Sequence, residues 1–346
     1  MSKQITIIQP DDWHVHFRDG DLLNEVAPIT AQTFGRALVM PNLIPPITTV
    51  NQALDYKNRV MRATSNDYFT PYMTLYLTDQ TTVSEIRKAA KIQSILAAKL
   101  YPAGATTNSD AGVTDIKEIY PVLDEMQKHG MTLCLHGEVT HGWIFDREAG
   151  FISEVLKPLR EEFPELPIVL EHITTKEAVE YVLNAKGKIG ATITPQHLLF
   201  NGNDMLVGGI KPHLYCLPIL KKDTDQEALI KAATSGNSKF FLGTDSAPHL
   251  KNKKISTCGC AGCFTGLSAL QMYAQVFDSV DALDKLETFA SISGANFYGL
   301  ETNTQTITLE KTPMTVPKEY RFSENDEDIL IPLMHGEKLE WSIVNN

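Results

Sequence analysis

The chain has 346 residues, 43% of them hydrophobic, and 31 Lys plus Arg against 42 Asp plus Glu give it a formal charge of −11. That length suits one large domain or two ordinary ones, and the acidity argues against binding along a nucleic-acid backbone, which needs basic patches. The opening MSKQITIIQPDDW has no apolar signal region, no stretch approaches the ~20 apolar residues of a membrane helix, and five cysteines with no secretory signal read as free thiols of a cytoplasmic protein.

Short apolar runs alternate with helical patterns along the chain. Strands are expected at WHVHF (13–17), RALVMPN (36–42), TPYMTLYLT (70–78), ILAAKLYP (95–102), MTLCLHGE (131–138), PIVLEHI (167–173), IGATITP (189–195) and KFFLGTDS (239–246). Several are apolar throughout, as parallel strands covered on both faces should be. Thr82 with Glu85 predicts a capping box before IRKAAK. Residues 115–129 put Ile116, Ile119, Leu123 and Met126 on one helical face, with Gly130 as the stop. Thr174 with Glu177 predicts another helix start, and Asp223 with Gln226 opens a helix that Gly236 closes. Eight strands alternating with helices point to an α/β fold, a (β/α)8 TIM barrel. An open doubly wound sheet is the alternative, but no GxGxxG follows the first strand. Residues 102–115, PAGATTNSDAGVTD, form a long polar loop of the kind that is functional or disordered. After residue 300 the alternation fades. Residues 301–346 are expected as an extension packed on a single barrel domain, with KLEWSI (338–343) as a last strand.

A barrel of this type places its chemistry where the strands end at their C-terminal side. His14 and His16 lie two apart on the first run, so they share a face. Arg18 follows them, and its planar fork suits a carboxylate. Asn42 ends the second run, Lys99 lies in the fourth, and His136, His172 and Asp245 end the fifth, sixth and eighth. Each histidine alone reads as a satisfied core residue, Asp245 alone as a helix cap, and Lys99 alone as half of an ion pair. Four His, one Asp and one Lys on one rim are hard to reconcile with independent accidents. Imidazole and carboxylate ligands suit two divalent cations, zinc best, with cobalt or manganese as substitutes. A neutral buried Lys99 amine could take up carbon dioxide, giving a carbamate able to bridge them.

These residues carry a resemblance. HVH, the strand-four Lys, the two later His and the Asp resemble the amidohydrolase superfamily. DDWHVHFRDGDLL, VMPNLIPPITTV, AAKLYPAGATTNS, HGEVTH, EHITTK, GTDSAPH and CGCAGCF are similar to the class-II bacterial dihydroorotases, from about residue 9 to 300. The resemblance implies reversible cyclisation of N-carbamoyl-L-aspartate to (S)-dihydroorotate in pyrimidine biosynthesis. It implies His14, His16 and Asp245 on a more buried zinc, His136 and His172 on a second, and N6-carboxylated Lys99 between them. A bridging hydroxide would attack, with Asp245 as general acid and base. Arg18, Asn42, His136 and His249, with backbone at Leu217 and Ala261, would bind substrate. Thr106 and Thr107 would belong to a lid, and the protein would be a homodimer. A hydantoinase- or allantoinase-type hydrolase of cyclic amides is the alternative. Cys258, Cys260 and Cys263 are read as thiols rather than a fourth-ligand-deficient zinc site. His129 sits at a helix C-terminus, where the dipole favours a cation.

Overall fold

The computed structural model describes residues 3–325 and 327–344. After an N-terminal strand β1 (Gln4–Ile8) come eight parallel strands, seven within their predicted runs and the first, at Asp11–Val15, shifted two residues ahead of WHVHF. They are β2 (Asp11–Val15), β3 (Arg36–Val39), β4 (Thr70–Tyr76), β5 (Ile95–Leu100), β6 (Thr132–His136), β7 (Ile168–Glu171), β8 (Ile189–Ile193) and β9 (Phe240–Leu242). They pair in sequence order. The ends meet through a parallel bridge between Val15 and Ser246 and a bond from Asp245 N to His14 O of 2.8 Å. The fold is the (β/α)8 barrel with helices outside, and no helix among the described residues is long and apolar enough to cross a membrane.

Alternation along the strands builds two layers inside the barrel. Ala97 and Lys99, Cys134 and His136, and Val169 and Glu171 share faces at a spacing of two. Ala97, Cys134 and Val169 join Leu38, Met40 and Phe241 in an apolar floor. Trp13 packs into that floor as well. β2 carries one residue more than β3 between Asp12 and Val15, a bulge. Such an insertion breaks strict alternation and re-aims side chains. The polar partners of each pair form the rim above the floor.

Helix starts follow local chemistry, with small shifts from the sequence pattern. Thr82 caps Val83–Ala89 by accepting from Glu85 N, but the Glu85 carboxylate accepts from Val50 N instead of closing a box. Residues 116–129 divide into a 3-10 turn, Ile116–Ile119, and an α-helix, Tyr120–His129, with Pro121 in its first turn and Gly130 left-handed at its end. Thr175, not Thr174, caps Lys176–Asn184, and the buried Glu148 carboxylate accepts from both Thr174 N and Thr175 Oγ1. Asp223 begins its helix as expected, and the helix ends at Ala233, three residues before Gly236.

Beyond the barrel, β10 (Thr306–Glu310) pairs antiparallel with β1, from Gln4 opposite Glu310 to Ile8 opposite Thr306. Ser342–Ile343 adds to the other edge of β10. KLEWSI is therefore two short strands, Lys338–Leu339 and Ser342–Ile343, broken where Trp341 turns inward and is fully buried.

Candidate active site

The rim gathers the six residues singled out in the sequence. Ring centroids run from His16 to His14 at 5.3 Å, His14 to His172 at 5.0 Å and His172 to His136 at 4.9 Å. Lys99 Nζ lies 5.1 Å from the Tyr101 ring centroid, and that ring lies 6.0 Å from His136. Asp245 Oδ1 sits 3.1 Å from His16 Nε2 and 3.5 Å from His14 Nε2. All six are buried, Lys99 completely.

Several of these side chains reach the mouth by leaving their strands. Arg18, His172 and Asp245 have φ of 61°, 41° and 45°. Non-glycine residues in this left-handed region are uncommon and cluster at functional sites. At the end of β7 the turn brings two consecutive residues, Glu171 and His172, to one side, which regular alternation forbids. His172 N donates to Thr192 Oγ1 at 2.7 Å and holds that turn.

Carboxylates and an amide fix the imidazoles. Glu171 Oε2 accepts from His14 Nδ1 at 2.8 Å and from Thr192 Oγ1 at 2.6 Å. Asn42 Oδ1 accepts from His16 Nδ1 at 2.7 Å, and Glu138 Oε2 accepts from His136 Nε2 at 2.9 Å. Partners of this kind set the tautomer, so the opposite nitrogen carries the lone pair. Asp12 accepts from His14 N, Thr244 N and Thr244 Oγ1. It thereby ties β2 to the turn bearing Asp245.

Burial pushes the His16 imidazole down to about 4. Burial alone would raise the Asp245 carboxyl, but His16, His14 and Lys99 outweigh it and hold it at about 2. A neutral His16 nitrogen and an ionised Asp245 oxygen therefore face each other, beside a His14 Nε2 that has no hydrogen-bond partner among the described residues. Converging lone pairs repel unless a cation lies among them. His14, His16 and Asp245 are the one group of three or more His, Cys, Asp or Glu among the described residues arranged to hold a metal ion. Their donor set fits zinc. On the adjoining side His172 Nδ1 and Lys99 Nζ are likewise buried without hydrogen-bond partners among the described residues, and burial pushes the Lys99 ammonium pKa down.

The same pocket is lined by Arg18, Asn42, Thr106, Thr107, Leu217 and Ala261. Arg18 Nε donates to Pro248 O at 3.1 Å and Nη2 to His249 Nε2 at 3.0 Å, while Nη1 is buried with no hydrogen-bond partner among the described residues. His249 meets Arg18 and is not itself part of the lining. Burial and the Arg18 charge push it down to about 2, which leaves its ring nitrogen an acceptor. The 102–115 loop lies over the pocket. Thr107 Oγ1 donates to Ala261 O at 3.3 Å, Asn42 Nδ2 to Thr107 O at 3.4 Å and Asn108 Nδ2 to Asn42 O at 3.2 Å.

Sequence reasoning missed Glu171, Glu138 and Asp12. The signal was present as carboxylates beside candidate ligands in VLEH, LHGE and DDWH. The thiols of CGCAGC diverge, Cys258 exposed and Cys263 buried, and they form no such metal group among the described residues. His129 Nε2 bonds Glu125 at 3.1 Å, and His141 is exposed beside Glu154.

A family model described as Amidohydrolase family matches residues 6–328, so the barrel and its rim are those of an amidohydrolase enzyme. A dihydroorotase of Aliivibrio fischeri (strain MJ11) is 56% identical over 341 residues, covering 98% of this chain and 99% of that protein. The crystal structure of a Campylobacter jejuni dihydroorotase superposes with a TM-score of 0.91 at 35% identity, covering 100% of this chain and 98% of the other. A Saccharomyces cerevisiae dihydroorotase in complex with 5-fluoroorotic acid superposes with a TM-score of 0.90 at 35% identity, covering 99% and 98%. The chain belongs to the dihydroorotase family of amidohydrolases.

Proposed function

We propose that the protein interconverts N-carbamoyl-L-aspartate and (S)-dihydroorotate, with two zinc ions per chain. One observation carries this reading: a buried His14, His16 and Asp245 group shares a pocket with an arginine whose Nη1 has no partner. A hydrolytic centre and a carboxylate receptor side by side fit a cyclic amide that bears a carboxylate.

His14, His16 and Asp245 would hold one zinc and His136 and His172 the other. Lys99 would lie between them after its neutral amine adds to carbon dioxide, forming an N–C bond and releasing one proton to solvent. The bound cations supply Lewis-acid polarisation of the amide carbonyl and an acidified water.

Arg18 receives the α-carboxylate in its fork, oriented by the Pro248 carbonyl and by His249. Asn42 exchanges its long bond to Thr107 for one to the ligand. In hydrolysis an Asp245 carboxylate oxygen takes the proton of the attacking water and delivers it to the ring nitrogen as the C–N bond breaks. In cyclisation Asp245 instead takes a proton from the ureido nitrogen that attacks the β-carboxyl carbon. Ring closure discharges a carboxylate and consumes a proton, so lower pH favours dihydroorotate and higher pH favours the open form.

The pocket as it stands offers about 20 Å³, room for little more than one water. A six-membered ring enters only if the loop with Thr106 and Thr107 swings away, which is the behaviour of a lid. The family likeness also supports a homodimer working in the cytoplasm.

An ultraviolet assay on dihydroorotate, hydantoin and allantoin, run beside metal analysis, tests the proposal. Turnover of dihydroorotate with close to two zinc per chain is expected. Preference for hydantoin or allantoin, or no hydrolysis of any of the three by metal-loaded protein, would overturn it.

A further inference from the structure

Part of the pocket wall is formed by Leu217 and by Ala261 and Gly262. These segments are far apart in sequence, and residues 215–218 and 261–262 lie in no helix or strand. Lys254 joins them. It ends a four-residue turn, Lys251–Lys254, in which the first three side chains are exposed and the last is only 5% exposed. Lys254 Nζ donates to Tyr215 O at 2.7 Å and to Gly262 O at 2.7 Å. Gly262 N donates to the same Tyr215 O at 3.0 Å. Among the described residues Lys254 makes no ion pair; those two carbonyls are the hydrogen-bond partners of its ammonium, which also lies 5.8 Å from the Tyr215 ring centroid.

Burying an ammonium without a counter-charge is costly. If packing were the only demand here, an apolar side chain would meet it better. What lysine adds is one charged centre with three donors, able to hold two carbonyls at a fixed separation. Both stapled residues are close to the pocket: Tyr215 is two residues before Leu217, and Gly262 follows Ala261. The second segment has no slack, because Gly262 has φ of +144° and a Cβ there would lie 2.6 Å from Ala247 O. Ala261 O is also where Thr107 lands.

We infer that Lys254 is a positioning residue for substrate binding, setting the spacing between the Leu217 and Ala261 segments of the pocket wall. The inference rests on the dihydroorotase reading above. It concerns binding rather than bond breaking, because Lys254 does not line the pocket.

The test uses full-length Lys254→Met and Lys254→Gln, loaded with zinc, with kcat and KM for dihydroorotate, zinc content and circular dichroism measured together. Lys254→Met should raise KM about tenfold, as loss of hydrogen bonds from a charged group predicts, with kcat within about threefold of the parent and zinc content unchanged. Lys254→Gln, which keeps a donor, should raise KM less. A folded, zinc-loaded Lys254→Met with KM within about twofold of the parent overturns the inference, as does a fall in kcat at constant KM. If neither variant folds, the staple serves folding alone and the inference falls. A parent inactive on dihydroorotate sinks the dihydroorotase reading and this inference together; an active parent with an unaltered Lys254→Met sinks this inference alone.

Discussion

The two sides of the rim are built differently. On the His14, His16 and Asp245 side, each imidazole is already oriented by a protein acceptor, and Asp12 joins the strand to the turn beside it. On the Lys99, His136 and His172 side, Glu138 orients one imidazole, while Lys99 Nζ and His172 Nδ1 are buried with no partner. The first side leaves one buried nitrogen, His14 Nε2, without a hydrogen-bond partner among the described residues, and the second leaves two. Each orphaned buried nitrogen costs about 1–3 kcal/mol.

The contrast can be broken at four points. The largest effect is expected at Asp245→Asn. If Asp245 carries the proton, kcat falls by about 10²–10⁴-fold, with metal content measured to confirm that the ions stay. Near-normal turnover in a metal-loaded variant would refute the role. Next is Lys99→Ala, which should bind less metal and lose activity about 10²-fold or more, judged from the cost of losing a metal-organising group. Short carboxylic acids should restore part of that activity, because they supply the missing bridging oxygens. Intact mass of the metal-loaded parent showing a bare Lys99 amine would contradict the carbamate.

Glu171→Gln and Glu138→Gln compare the sides directly. Each should weaken metal affinity by about 10–100-fold, the former at the His14 site and the latter at the His136 site, read by competition with a chelator. Equal loss of both ions from either variant would mean that the sides are not separable. The smallest effect is expected at Thr106→Ala and Thr107→Ala, where kcat should fall several-fold, roughly the worth of one hydrogen bond, at constant zinc. Unchanged kinetics in both would retire the lid.

The eight strands were legible because apolar runs between helix signals need no knowledge of distant partners. The six rim residues were legible because they stand in or at the ends of those runs. The carboxylates behind them were not. Period-two reasoning sends Glu171 and His172 to opposite faces, and only the left-handed turn at His172 brings both to the mouth. Thr174 pairs with Glu177 in the sequence pattern, yet Thr175 is the cap, and Glu148, 26 residues before Thr174, accepts from both threonines. The staple at Lys254 was illegible for the same reason: a fourth residue in KNKK reads as surface charge until Tyr215 and Gly262 are seen on either side of it.

The pairing of β1 with β10 has a consequence for synthesis. Gln4–Ile8 leaves the ribosome long before its partner Thr306–Glu310, which emerges some three hundred residues later. For nearly all of translation the opening strand has an unpaired edge, the kind of exposed template that invites association with other chains. Ribosome-bound fragments should therefore depend on chaperones until Thr306–Glu310 appears, and messages truncated before residue 306 should yield insoluble product even though every barrel strand is present.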